Sequence, residues 1–120
     1  MERPLFRSRL EEAWAERFKT CSIEVEYEPI TLRLGGKEYT PDFMIAAPPH
    51  APLLIEIKGA VVNSEIELCK AVALKGFHIV LVFGDVDDFC ANSCFEFLPY
   101  TSESRRSVPA LMRVLLQTAM

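Results

Sequence analysis

Three side chains able to act together on a charged substrate lie close along one stretch of this chain. They are Asp42, in Tyr39-Thr40-Pro41-Asp42-Phe43-Met44-Ile45, and Glu56 and Lys58, in Leu53-Leu54-Ile55-Glu56-Ile57-Lys58-Gly59. Each acid interrupts an apolar strand pattern at a position where a hydrophobe would pack more easily. Residues two apart on a strand share a face, so Glu56 and Lys58 must meet each other or something bound between them. A carboxylate buried in a strand is costly unless it is paired or holds a cation. Two such carboxylates suit a hard divalent cation, magnesium first and manganese similarly, with water or phosphate oxygens completing its shell. Such an ion lowers the pKa of bound water and polarises a phosphoryl oxygen. The Lys58 ammonium would hold or activate the attacking water, or stabilise charge on the phosphate.

The surrounding periodicities supply the elements that must position these groups. Ser8-Arg9-Leu10-Glu11 has capping-box spacing, and Leu10, Trp14 and Phe18 recur on one face, which predicts a helix from Ser8 to about Thr20. Ile23, Val25 and Tyr27 alternate with Glu24, Glu26 and Glu28, the pattern of a strand ended by Pro29. Thr31 to Leu34, Gly35-Gly36 and Lys37 to Ile45 read as a β-hairpin, with Asp42 on its second arm. After a Pro-rich loop, Leu53 to Lys58 reads as a buried strand, Ser64 to Lys75 as a helix with Ile66, Cys69, Val72 and Ala73 inward, and His78 to Phe83 as a second buried strand. Strand, helix, strand predicts a right-handed crossover between parallel strands. Asp85 to Asp88 is expected to be a loop, Phe95 to Leu98 a short edge strand and Val108 to Thr118 a closing helix. The expected fold class is α/β, a mixed β-sheet core flanked by helices.

At 120 residues, half of them hydrophobic, the chain is expected to form one domain, residues 1–120, with a real core. No apolar run approaches the roughly 18 residues of a membrane span, and Met1-Glu2-Arg3-Pro4 lacks a signal-peptide core, so a soluble, cytoplasmic protein is expected. Cys21, Cys69, Cys90 and Cys94 lack the paired short spacings of a zinc site and are read as free thiols, although Cys90 and Cys94 would make half of one. A net charge of -4 gives no global attraction to a polyanion. Contact with nucleic acid would therefore fall to local basic groups: Arg3, Arg7, Arg9, Arg17 and Lys19 toward one end, Arg105, Arg106 and Arg113 toward the other. Ordinary solvated charge accounts for each of them equally well.

Taken together, Glu11, Pro41-Asp42 and Glu56-Ile57-Lys58 resemble the PD-(D/E)XK nuclease superfamily. The flanking Phe6-Arg7-Ser8-Arg9-Leu10-Glu11, Tyr27-Glu28-Pro29, Tyr39-Thr40-Pro41-Asp42-Phe43 and Glu56-Ile57-Lys58-Gly59 resemble its small phage- and transposon-encoded members, over roughly residues 6 to 84. Each motif alone is common; their order and strand context are what is specific. The resemblance implies a restriction-endonuclease-like fold and a magnesium-dependent DNA endonuclease that hydrolyses phosphodiester bonds to leave a 5′-phosphate. It implies Asp42, Glu56 and Glu11 as metal ligands and Lys58 as the residue assisting the nucleophile, with Arg7 and Arg9 near the DNA. For Glu11 the capping-box partnership with Ser8 is the stronger reading and would alone account for it, and Glu12 competes for the helix-acid role. Lys70 is either a supporting basic residue or a solvated helix lysine, and Glu28 either supports the site or merely ends a strand. The alternative function is a non-catalytic nucleic-acid- or protein-binding module of the same fold, acting within a larger complex. A homodimer or a protein partner stays open.

Overall fold

Ser8 caps the first helix as its spacing requires: its Oγ accepts the Glu11 amide at 3.1 Å, and α1 runs Arg9–Thr20. Glu11 and Glu12 in its first turn and Arg17 and Lys19 in its last complement the helix dipole. The computed structural model describes residues 8–45, 52–60, 62–90, 93–100 and 104–105. The expected helix at Val108 to Thr118 lies outside them.

Beyond α1 the strands are β1 (Glu26–Tyr27), β2 (Leu32–Leu34), β3 (Lys37–Tyr39), β4 (Phe43–Ile45), β5 (Leu53–Lys58), β6 (His78–Phe83), β7 (Cys94–Phe97) and β8 (Ser104–Arg105). The second helix, α2 (Asn63–Leu74), links β5 to β6, and a 3-10 turn spans Val86–Asp88. Six strands form one sheet in the order β1-β4-β5-β6-β7-β8, while β2 and β3 pair separately. Among the described residues only β5 and β6 are parallel, as the crossover predicts, with Leu53 opposite His78 and Lys58 opposite Phe83. The molecule is a mixed α/β structure.

Strand alternation divides the core between the two faces of this sheet. Phe43, Ile45, Leu53, Ile55, Ile57, Val80, Val82 and Cys94 pack on Trp14 and Phe18 of α1, where the Phe18 and Phe43 rings meet edge to face at 5.5 Å. Leu54, Ile79, Leu81 and Phe97 pack on Cys69, Val72 and Ala73 of α2, together with Leu32, Leu34 and Tyr39 from the β2–β3 hairpin. Each fully buried large side chain contributes roughly 1.5–3 kcal/mol, so α1 and α2 are held by the sheet faces rather than by helix propensity.

Four expectations need correction. The strand expected over Ile23 to Glu28 shrinks to two residues, because Ser22 and Glu28 take left-handed backbone conformations (φ 59° and 48°) and because β4 offers only a short partner. The expected second hairpin arm, Lys37 to Ile45, is two strands in two different sheets. Pro41 lacks the amide a continuous ladder needs, and Asp42 uses its side chain, not its backbone, to meet β5. Asp85 to Asp88 is not an open loop, since the Asp85 carboxylate accepts the Asp87 amide at 3.3 Å and caps the 3-10 turn. The strand at Cys94–Phe97 is not an edge, because β8 pairs outside it.

Gly-Gly turns the hairpin as expected, with φ of 57° and 84° at Gly35 and Gly36. Gly76, at φ 102°, ends α2 beneath the Tyr100 ring, which would stand 2.6 Å from an added Cβ. Gly76→Ala is therefore expected to lower stability by about 1–2 kcal/mol in urea unfolding, from the unfavourable φ together with displacement of the ring.

Candidate functional site

The candidate residues meet at the carboxyl end of the parallel pair β5–β6, the usual ligand-binding end of parallel strands. Lys58 closes β5, and its carbonyl accepts the Gly84 amide at 2.9 Å just beyond β6. The Gly84 carbonyl in turn accepts the Trp14 indole N–H at 3.2 Å. Through these two bonds α1 is pinned against the strand end that carries Lys58.

Each acid reaches this point from a different element. Glu11 is in the first turn of α1 and only 8% exposed, and Glu12 beside it is exposed, so the helix acid turned inward is Glu11. The Tyr27 hydroxyl donates to Glu11 Oε1 at 2.8 Å. Asp42, 3% exposed, sits where the chain passes from β3 to β4, and its Oδ2 accepts the Ile57 amide at 2.8 Å. Glu56, also 3% exposed, is held on both oxygens: the Tyr39 hydroxyl donates to Oε1 at 2.5 Å, and Lys58 Nζ lies 3.2 Å from Oε2. Lys58 Nζ is also 3.9 Å from Glu65 in the first turn of α2. Glu56, Glu65 and Asp42 thus act on one lysine, with Glu11 behind Asp42.

Burial and mutual repulsion shape their charge. Asp42 is pushed up to about 8 by desolvation and then by the Glu56 carboxylate; the Ile57 amide opposes the shift, and a hydrogen bond with Glu11 adds to it. Two carboxyl groups share a hydrogen bond only with a proton between them, so Asp42 is held as the acid in the absence of a cation. Desolvation also raises Glu56, against the opposing Tyr39 hydroxyl and Lys58 ammonium. Burial draws Lys58 down, but Glu56, followed by Glu65 and Asp42, outweighs it, and the net shift is upward. Lys58 is therefore a cation throughout the neutral range. Burial, with Glu56 next, pushes the Cys69 thiol beneath the site well up, which leaves it unreactive.

The other candidates fall elsewhere. Lys70 pairs with Glu67 on its own helix at 3.2 Å, and among the described residues no ion pair joins it to the acid cluster, which favours its reading as a surface lysine. Glu28 abuts the site through its backbone, its amide donating to the Asp42 carbonyl at 2.9 Å from a left-handed conformation. Arg9 is exposed at the first position of α1, and Arg7 lies outside the described residues. The four cysteines are free thiols; Cys90 is exposed while Cys94 is buried on β7.

The sequence reading missed Tyr27, Tyr39 and Glu65. The tyrosines lay inside quoted motifs, and their signal was a phenol one or three residues from an acidic or proline turn, where an aromatic ring can pack while its hydroxyl reaches a carboxylate. Among the described residues no group of three or more His, Cys, Asp or Glu side chains stands close enough together to hold a metal ion. The donors present are all carboxylate oxygens, and magnesium is commonly held by one or two carboxylates with water and phosphate filling the rest. The residues therefore fit a hard divalent ion and not a soft one. Among the described residues, no helix is long and apolar enough to cross a membrane. No family model, curated protein or solved structure matches the chain.

Proposed function

We propose that the chain is a magnesium-dependent DNA endonuclease with a restriction-endonuclease-like fold, Asp42, Glu56 and Glu11 serving as the cation ligands. The observation carrying this reading is the excess of acid at the carboxyl end of β5: buried Asp42 and Glu56, with Glu65 at the rim, act on the Lys58 ammonium, and buried Glu11 adjoins Asp42. Gathering so many carboxyl groups out of water costs stability unless a proton or a cation completes the arrangement. Magnesium, with manganese as a substitute, would supply a water of lowered pKa and charge neutralisation at a phosphoryl oxygen. Asp42 gives up its proton to become a ligand, and the Ile57 amide holds one of its oxygens in place. Lys58, permanently charged, donates hydrogen bonds to the attacking water or to the scissile phosphate rather than removing a proton. Arg9, exposed at the start of α1 less than a turn from Glu11, is placed to meet a DNA backbone phosphate.

Plasmid and branched DNA incubated with the protein and magnesium are expected to be cut, leaving 5′-phosphates, while Asp42→Ala leaves them intact. Equal behaviour of the two proteins overturns the reading. A second reading, a non-catalytic nucleic-acid- or protein-binding module working within a larger complex, draws on the fact that both Glu56 oxygens already have protein partners. It predicts DNA or protein binding without any heat of magnesium or manganese binding.

A further inference from the structure

Tyr39 belongs to the hairpin, not to the six-stranded sheet. It closes β3 opposite Leu32 of β2, and the hairpin base is fastened by the Thr31 and Thr40 hydroxyls at 2.9 Å. Its ring packs in the cluster formed by Leu54, Cys69, Val72 and Ala73. From there its hydroxyl crosses to Glu56 Oε1 at 2.5 Å, a short charge-assisted bond. The other oxygen of Glu56 faces Lys58, which sits on the same strand and is partly open to solvent, with a side chain 37% exposed. A lysine has a long, mobile stem; a tyrosine has two rotatable bonds and a ring locked by packing. The orientation of the Glu56 carboxylate plane is thus set mainly from the hairpin.

We infer that Tyr39 is a positioning residue: its hydroxyl fixes the Glu56 carboxylate for cation binding and thereby makes the seating of the β2–β3 hairpin a condition of an assembled site. The cation-binding clause rests on the nuclease reading above. Partners that orient a ligand from behind typically matter 10- to 100-fold for metal affinity or activity. The ring of phenylalanine fills the same space, so Tyr39→Phe removes the donor and leaves the packing.

The test compares wild type and Tyr39→Phe by manganese calorimetry, by magnesium-dependent cleavage, and by the Glu56 side-chain carboxyl carbon-13 resonance without metal. In Tyr39→Phe the manganese affinity is expected to fall about 10-fold and the cleavage rate 10- to 100-fold. The resonance is expected to move while the thermal midpoint stays close to wild type. Affinity and rate equal to or above wild type, with an unmoved resonance, overturn the assignment. Should the wild type neither bind manganese nor cut DNA, the nuclease reading falls, and the metal-free resonance alone decides whether Tyr39 orients Glu56. If Tyr39→Phe does not fold, Glu56→Gln gives the reciprocal reading: the Tyr39 ring carbon bearing the hydroxyl must shift, and an unchanged signal overturns the assignment.

Discussion

Asp42→Asn is expected to make the metal-free protein more stable at pH 7 and above, and to remove most of the decline in stability that wild type shows between mildly acidic and mildly basic pH. The sign follows from the carboxyl's upward shift from 3.8 to about 8, caused by burial and then by Glu56. Between those values the folded chain keeps a proton that the unfolded chain has released, so stability is full below about pH 4 and is lost as pH rises toward 8. In the middle of that window the slope approaches about 1.4 kcal/mol per pH unit, or roughly 2–3 kcal/mol between pH 5 and pH 7. Asparagine mimics the protonated acid: its amide oxygen accepts the Ile57 N–H, and its amide nitrogen donates toward Glu11. A smaller decline of the same sign remains in the variant, because burial also raises Glu56. Urea unfolding from pH 5 to pH 8 in a chelator measures the effect, and parallel curves for the two proteins contradict it. Magnesium replaces the proton in the proposed site, so it should restore wild-type stability at pH 8 and leave Asp42→Asn unmoved, by the linkage of binding to folding.

That prediction depends on a position the sequence disclosed only in part. The acids were legible because a charged residue within an apolar strand contradicts its surroundings, and Leu53 to Lys58 carries that contradiction in six residues. The parallel pairing of β5 and β6 was legible for a related reason: long apolar runs on either side of an amphipathic helix leave little topological choice. What was hidden is the break at Thr40 to Asp42. Little in Lys37 to Ile45 announces that its two halves pair with different partners; the missing Pro41 amide is the hint. The roles of Tyr27 and Tyr39 were hidden too, because each hydrogen bond spans 16 or 17 residues and depends on where the hairpin and α1 come to rest. Glu11 shows the limit from the other side. Its spacing from Ser8 marked a cap, and its amide is indeed capped, yet the carboxylate faces Tyr27 and Asp42. One residue serves both local and long-range geometry, and only the local part is periodic.

Lys58→Met is expected to separate cleavage from cation binding. The methionine keeps an unbranched stem of similar length, so β5 and the Gly84 contact stay in place while the ammonium is lost. If Lys58 acts as a fixed positive donor toward the attacking water or the phosphate, its removal should lower the magnesium-dependent cleavage rate by about 10²–10³-fold at saturating metal. Manganese affinity measured by calorimetry should hold or tighten, because Glu56 and Glu65 lose the cation that competed for their charge. Asp42→Ala, by contrast, should lose binding and cleavage together. Lys58→Arg is not expected to rescue the rate, since a planar guanidinium this close to Glu56 favours a two-pronged pairing with the carboxylate that turns it away from a substrate. Loss of metal affinity in Lys58→Met would mean that the lysine builds the site rather than acting on substrate within it. A full rate in that variant would leave the ammonium with no part in the chemistry, and its place between Glu56 and Glu65 would be charge balance alone.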